Sequence, residues 1–211
     1  MNITKFVHSC ILVETPDHVA LFDPGVMSQE ALDVGRLNRL DDIFITHVHD
    51  DHCSTDSIKQ LVIKFPSVRI TGTSEVVAEL AKVGITAGTE PPKGAVFFDS
   101  PHESVQPLFP QPEQQGIHYL DVFSHPGDSH SFHETKQILA LPMTGPWGSS
   151  IRAVNVALEL KPTKVIPIHD WHWNDTARER AYNQFEEVLG KAGIQFFKLQ
   201  TGQPVTIEVA V

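Results

Sequence analysis

The sequence predicts one layered α/β domain over residues 1–211, and three observations lead to this prediction. Short apolar runs rich in β-branched residues alternate with helical patterns in both halves of the chain. No linker separates the two halves. Hydrophobic residues make up 41% of the chain and charged residues 20%, as is usual for globular domains. At 211 residues the chain can bury a substantial core.

The first half begins with strands separated by Pro, Asp and Gly turn signals. A helix with apolar residues at i, i+3, i+4 and i+7 is expected after an N-cap at Ser54 or Thr55, and Pro66 ends it. Ser74 is the expected cap of a second helix, with Gly84 at its carboxyl end. The predicted strands of this half cover residues 5–7, 11–14, 19–22, 42–46 and 68–71.

The second half continues the alternation after residues 90–116, a segment rich in Pro, Gly and Gln. One helix is expected over residues 151–160, capped by Ser149 or Ser150. Another begins at a cap on Asn174 or Asp175, and its expected apolar face is Ala181, Phe185, Val188 and Leu189. The predicted strands of this half cover residues 95–98, 117–123, 138–141, 164–168, 195–199 and 205–209.

Composition excludes several classes of protein. The formal net charge of −10 makes a nucleic-acid partner unexpected, because such affinity depends on Lys and Arg neutralising phosphates. No apolar stretch approaches the roughly 20 residues of a membrane span, and the amino terminus does not resemble a signal peptide. The two cysteines, Cys10 and Cys53, form no CxxC pair, so we expect a cytoplasmic protein. Nothing in the sequence indicates the oligomeric state.

The strongest functional feature is HVHDDH at residues 47–52, directly after an apolar strand. In an extended chain His47 and His49 point to the same side and can reach one cation. Asp51 and His52 follow after the chain has begun to turn, so their side chains face a second position beside that cation. Loops at strand ends are where rigid scaffolds present functional side chains, so the pattern predicts a metal site.

In this motif the chain resembles the metallo-β-lactamase superfamily. Residues 46–52 match the family's T-H-x-H-x-D-H signature without a gap. Segments 8–10 and 142–145 are similar to one branch, the small hydrolases that include ascorbate-6-phosphate lactonase. The resemblance implies a four-layer αβ/βα sandwich. Further segments similar to the family's pattern are residues 21–25, 127–129 and 165–169.

The resemblance also implies a binuclear metal centre. His102 is the expected third histidine of the first metal site, because it follows a strand and precedes the Asp128 segment. His118 is the alternative, but it lies inside an alternating run and is expected to be a half-exposed strand residue. The implied ligands are His47, His49 and His102 at one metal, Asp51, His52 and His169 at the other, and Asp128 between the two.

Two divalent ions are the implied cofactor, with zinc the first choice and manganese or iron as alternatives. A metal-bound hydroxide would cleave an ester, lactone, amide or phosphoester bond of a small anionic metabolite, and Asp51 would hold the nucleophile or take its proton. Trp147, Arg152 and His8 are the candidate substrate-binding residues. Ordinary packing and surface charge are the alternative for Trp147 and Arg152, and a buried, hydrogen-bonded histidine is the alternative for His8.

Two other function classes stay open at this point. One is a mononuclear iron oxidoreductase on the same scaffold, similar to a persulfide dioxygenase, for which metal identity and stoichiometry are decisive. The other is a metal-binding module without catalytic activity, which an activity measurement would distinguish.

Overall fold

Two mixed six-stranded sheets form the framework of the computed structural model, which describes residues 1–209. Each sheet belongs to one of two compact units. The first unit contains residues 1–92, 112–115 and the chain from Leu199, and the second contains residues 93–111 and 116–198. The predicted α/β class is confirmed. The single domain over residues 1–211 stays a prediction.

The first unit has antiparallel and parallel pairing in one sheet. The strand order is β12-β1-β2-β3-β4-β5, with β12, β1, β2 and β3 pairing antiparallel and β3, β4 and β5 pairing parallel. The elements are β1 (Asn2–Lys5), β2 (Ile11–Glu14), β3 (Val19–Phe22), β4 (Asp42–Phe44), α1 (Thr55–Lys64), β5 (Arg69–Thr71), α2 (Ser74–Ala81) and β12 (Val205–Thr206), with short 3-10 helices at Val26–Ser28 and Val34–Arg36.

Both helices of this unit begin at capped residues. Ser54 accepts a hydrogen bond from the Ser57 backbone N–H at the start of α1, as one of the predicted caps requires. At α2 the cap is Thr73 rather than Ser74, because the Thr73 hydroxyl accepts from the Val76 N–H. The buried faces of the two helices and the sheet form one apolar cluster that includes Leu21, Ile43, Ile58, Leu61, Val76 and Leu80.

The second unit also contains a mixed sheet, with two antiparallel and three parallel strand pairs where the first has three and two. Its strand order is β11-β10-β9-β8-β7-β6, with β6, β7 and β8 pairing antiparallel and β8, β9, β10 and β11 pairing parallel. The elements are β6 (Ala95–Phe98), β7 (Gly116–Tyr119), β8 (Phe123–His125), β9 (Ile138–Pro142), α3 (Ser150–Leu160), β10 (Lys164–Ile168), α4 (Asp175–Lys191) and β11 (Gln195–Phe196).

Helices α3 and α4 cover this second sheet. Their caps are Ser149 and Asn174, in each case the first of the two residues that the sequence offered. Val188, expected on the buried face of α4, is 43% exposed, and Tyr182 is buried instead. The apolar cluster of this unit includes Leu139, Leu141, Ala153, Ala157, Val165, Tyr182, Phe185 and Leu189.

Several strand boundaries differ from the sequence prediction, including that of β4, which ends at Phe44 rather than at residue 46. The first strand covers Asn2–Lys5, since Phe6 and Cys10 bond across a tight turn in which His8 has φ 64°. The predicted strand over 117–123 is two strands, because Leu120 and Asp121 both adopt left-handed φ and form a hairpin turn between β7 and β8. The last two strands are shorter than expected, at Gln195–Phe196 and Val205–Thr206.

Within residues 1–209, none of the helices combines the length and the apolar character that crossing a membrane requires.

Candidate metal centre

In the first unit, candidate ligands follow the carboxyl ends of parallel strands. β3 ends at Phe22 and leads to Asp23, and its parallel neighbour β4 ends at Phe44 and leads to residues 46–52. His8 lies in the turn between β1 and β2, where Ile11 pairs with Phe22. Loops outside the carboxyl ends of parallel strands are the usual ligand sites of α/β sheets. The fold therefore gathers His8, Asp23 and the histidine loop at one edge of this sheet.

Gly25 holds the histidine loop in place. A Cβ atom at this position would lie 1.7 Å from the backbone oxygen of Asp51 and 2.6 Å from the His52 nitrogen. The Val26 N–H also donates to the Asp50 carbonyl at 2.8 Å, and the Ser54 N–H donates to the Pro24 carbonyl at 3.1 Å. Two backbone segments thus touch directly, and only glycine allows that approach.

The imidazole and carboxylate groups of this loop form a tight cluster. The ring centroids of His47 and His49 are 4.8 Å apart, and those of His47 and His52 are 4.0 Å apart. His8, Asp51 and His52 each offer a ligand atom within 4.8 Å of the others. Four of the seven predicted ligands are therefore together in this unit.

Asp23 fixes the orientation of His52. Its carboxylate accepts from the Thr46 N–H and hydroxyl, both at 2.8 Å, and lies 2.7 Å from His52 Nδ1. An ionised carboxylate only accepts, so Nδ1 carries a proton, and in the neutral ring the lone pair is then on Nε2. Asp23 is fully buried with φ 46°. The sequence placed it in a family-like turn without a role, and its position at the end of an apolar strand was the available signal.

His8 approaches Asp51 rather than open solvent. Its Nε2 lies 3.0 Å from Asp51 Oδ2, and its ring packs edge-on against His52 at 5.2 Å. His8 is 1% exposed. The histidine therefore donates to the carboxylate predicted to act in catalysis, and its role in substrate binding stays a prediction.

In the second unit the candidate ligands also follow strand ends at one edge. Asp128 follows β8 and His169 directly follows β10, while His102 follows β6, which runs in the same direction as β8. The Glu103 N–H donates to the Asp128 carbonyl at 2.9 Å, and Ser100 Oγ donates to the Pro126 carbonyl at 2.6 Å. Two loops that are distant in sequence are thus joined by hydrogen bonds to the backbone carbonyls of residues 126 and 128.

The side chains of this second cluster converge on Asp128. His169 Nε2 lies 2.9 Å from Asp128 Oδ2, and His102 Nε2 lies 3.8 Å from the same oxygen. The Nδ1 atoms of the two histidines bond to backbone carbonyls, His169 to Thr144 and His102 to Glu103. Carbonyls only accept, so each Nδ1 carries a proton. In the neutral ring each Nε2 then carries the lone pair that can bind a cation. Imidazole nitrogens beside a carboxylate suit zinc, manganese or iron.

His118 has a different environment. Its ring stacks on Phe98 with centroids 4.1 Å apart, its Nδ1 bonds to Ser124 Oγ at 2.9 Å, and its Nε2 lies 3.4 Å from Glu134. Burial lowers its pKa, and Glu134 opposes that shift. His118 lies in strand β7 as expected, but it is buried rather than half-exposed, because its ring packs on Phe98.

Trp147, a predicted substrate-binding residue of this unit, bonds to a candidate ligand, and Arg152, the other, bonds to neighbours of the ligands. The Trp147 indole N–H donates to Asp128 Oδ2 at 3.0 Å. Arg152 pairs with Glu103 at 3.1 Å and donates to Ser131 Oγ at 2.7 Å. Substrate contact by either residue stays a prediction.

Helix α4 supports the turn that carries His169. The neighbouring Asp170 is 3% exposed, accepts from the Tyr182 hydroxyl and lies 3.5 Å from the Arg178 guanidinium. His169 has φ 59°, a conformation that costs about 1–3 kcal/mol outside glycine and needs such support. The pKa of Tyr182 is raised, first by burial and then by Asp170, so the hydroxyl stays a donor. Sequence reasoning missed Asp170, Tyr182 and Glu103, which no short motif marks.

Cys53, directly after His52, is packed among apolar side chains of the first unit. Burial and the nearby Asp23 raise its pKa to about 12, and a thiol in that state is a poor metal ligand.

Comparisons with known proteins agree with this architecture. A family model for the beta-lactamase superfamily domain matches residues 2–169. Protein Rv0786c of Mycobacterium tuberculosis is 28% identical over 201 residues, which cover 89% of this chain and 92% of that protein. The UPF0173 protein PYRAB01190 of Pyrococcus abyssi is 27% identical over 189 residues, or 80% of this chain and 83% of that protein.

A solved structure extends the likeness to the fold. Igni18, a metallo hydrolase from Ignicoccus hospitalis, superimposes with a TM-score of 0.73 at 19% identity and covers 99% of each chain. Because the family match spans most of the chain and the fold likeness nearly all of it, this protein belongs to the metallo-β-lactamase superfamily and has its α/β fold.

Proposed function

We propose that the protein is a metal-dependent hydrolase with a binuclear centre. The proposed ligands of one ion are His47, His49 and His102, those of the other are Asp51, His52 and His169, and Asp128 is shared. When bound, divalent ions lower the pKa of water from 15.7 towards about 7 and polarise a carbonyl or phosphoryl oxygen.

One observation carries this proposal: in both units, buried histidines hydrogen-bond to an acceptor through Nδ1, which leaves Nε2 as the ring nitrogen that can bind a metal ion. His52 bonds to Asp23, His169 to the Thr144 carbonyl and His102 to the Glu103 carbonyl. This arrangement of an outer acceptor on one ring nitrogen is typical of metal-ligating histidine. In addition, His169 Nε2 lies 2.9 Å from a carboxylate oxygen, a contact between two acceptors that a cation stabilises.

The chain's own residues define the rest of the chemistry. Asp51 is less buried than Asp23, the other carboxylate of this cluster, and His8 lies 3.0 Å from one of its oxygens. Its other oxygen can accept a proton from the attacking water. Since two divalent ions carry more charge than Asp51 and Asp128 return, the proposed centre is positive. We therefore propose an ester, lactone, amide or phosphoester of a small anionic metabolite as the substrate.

Elemental analysis and a substrate panel test the proposal. Protein purified without chelator should contain close to two zinc, manganese or iron ions per chain. It should hydrolyse at least one member of a panel of lactones, thioesters and phosphodiesters, and Asp51→Asn should lose that activity. A reproducible single iron, with no gain in activity on adding zinc or manganese, would favour the oxidoreductase class instead. Metal uptake without any hydrolysis would favour a binding module.

A further inference from the structure

Trp147 lies among the candidate ligands of the second unit. Its indole ring is edge-on to His169, with centroids 5.1 Å apart, and to His130 at 5.2 Å. His102 is 6.4 Å away, also edge-on. Its N–H donates to Asp128 Oδ2 at 3.0 Å. The indole nitrogen is a donor only and is no metal ligand, so this contact serves the carboxylate.

The turn around Trp147 directs the indole towards Asp128. Gly145 and Gly148 close a tight turn through a 3.2 Å backbone hydrogen bond. A Cβ atom on Gly145 would lie 2.8 Å from the indole, and one on Gly148 would lie 2.8 Å from the His130 ring. Both glycines are therefore needed for the indole to fold back over its own turn.

His130 completes the support from the other side. Its Nε2 bonds to the Pro142 carbonyl at 2.7 Å and its backbone N–H bonds to Glu103 at 3.0 Å, so the ring that touches Trp147 is itself fixed. The indole is thus held by a rigid shell.

We propose that Trp147 is a positioning residue that orients Asp128 for the metal ions. This inference rests on the proposed binuclear function. A carboxylate has about four lone-pair positions on its two oxygens, and the Trp147 N–H occupies one position of Oδ2. The carboxylate is then left with a defined orientation in which to share its remaining positions between two ions. Without the N–H, the carboxylate must be ordered by the ions themselves, and the affinity for metal falls.

Trp147→Phe tests this role because phenylalanine keeps an aromatic ring in the turn and removes only the N–H donor. Each protein is stripped with chelator and titrated with zinc chloride, and bound zinc is measured directly. We expect wild type to bind two zinc ions and Trp147→Phe to bind at least one of them about 10-fold or more weakly. Trp171→Phe, which changes a tryptophan that is 47% exposed on the same unit, is the matched control and should bind zinc as wild type does.

A spectroscopic readout is independent of turnover. The chain has three tryptophans, so a Trp171→Phe/Trp173→Phe protein retains Trp147 as its only indole. Its emission should change on zinc addition and saturate with the second equivalent, because the carboxylate bonded to the indole then ligates a cation. Asp128→Asn in this background should abolish the change.

The outcomes separate the two proposals. Wild type that binds no metal would overturn the proposed function and this inference with it. Wild type that binds two zinc ions, beside Trp147→Phe with the same affinities, would overturn only the role of Trp147. An unchanged Trp147→Phe metal affinity with a raised KM would assign the indole to substrate contact instead. A Trp147 emission that zinc leaves unaltered would also contradict the inference.

Discussion

In the first unit four candidate ligands lie in one loop, residues 47–52, whereas in the second unit three candidate ligands lie on three loops after β6, β8 and β10. Both sheets are mixed, and in both units these loops follow the carboxyl ends of strands. The strands belong to parallel pairs except β6, which pairs antiparallel with β7. Both sheets thus carry candidate ligands at the carboxyl ends of their strands, and the two units differ in how these ligands are distributed along the chain.

This difference changes what holds each ligand. In the first unit, one close backbone contact at Gly25 positions the whole loop. In the second unit each ligand has its own support: Trp147 for Asp128, the Glu103 carbonyl for His102, and helix α4 through Asp170 for His169. The comparison predicts that a single change in the first unit affects several ligands together, and that single changes in the second unit affect one ligand each.

Asp128→Asn should have the largest effect on turnover. The proposed shared carboxylate offsets the repulsion between two cations, so its loss should weaken the second ion. We expect activity to fall about 10³-fold, equivalent to several kcal/mol of transition-state stabilisation, with the fold retained. Turnover on the active substrate and metal content are the measurements. Asp121→Asn, an exposed aspartate of the same unit, is the control. Full activity and full metal content in Asp128→Asn would exclude Asp128 as a ligand.

His102→Ala and His118→Ala form a matched pair within the second unit. His102 has its Nε2 towards Asp128, whereas His118 stacks on Phe98 and bonds to Ser124. We expect His102→Ala to lose one metal ion and most hydrolytic activity, with affinity reduced by at least about 10–100-fold. His118→Ala should keep two ions and near-normal turnover. The reverse result would give the ligand role to His118.

Gly25→Ala should disrupt the first cluster as a whole. The added Cβ would lie 1.7 Å from a backbone oxygen, so the loop must move. We expect a loss of about 1–3 kcal/mol in the free energy of unfolding and weakened metal binding by several ligands together. Thermal unfolding and zinc titration measure the two effects. Gly190→Ala, in helix α4 with open space around its Cβ position, is the control and should be neutral or stabilising. Wild-type zinc affinity in Gly25→Ala would contradict the comparison.

Tyr182→Phe should have the smallest and most local effect on metal binding. It removes the hydroxyl that donates to Asp170 and leaves a buried acceptor less well satisfied. We expect a loss of about 1–3 kcal/mol in unfolding free energy and weaker binding of the ion assigned to His169, without loss of the ion assigned to His47 and His49. Calorimetry of zinc binding distinguishes the two ions. Equal weakening of both sites would show that the ligands of the second unit are not supported separately.

Sequence patterns predicted most of the regular structure because the signals are local. The Ser54, Ser149 and Asn174 caps and the strand at Lys164–Ile168 are where the sequence placed them. The hairpin turn at Leu120 and Asp121 was missed, because neither position has the glycine that usually indicates a left-handed φ. On α4, Tyr182 is buried in place of Val188 because its hydroxyl has a partner in Asp170, a contact that helical periodicity does not contain.

The sequence alone determined the fold class, the family and the contiguous loop of candidate ligands, because all three depend on residue types at short, fixed spacings. Only the tertiary structure decided how His102 and His118 differ, that Asp23 orients His52, and that Trp147 bonds to Asp128. These relationships join loops from different strands. Their geometry depends on strand pairing and close backbone contacts such as that of Gly25, and no spacing along the chain encodes it.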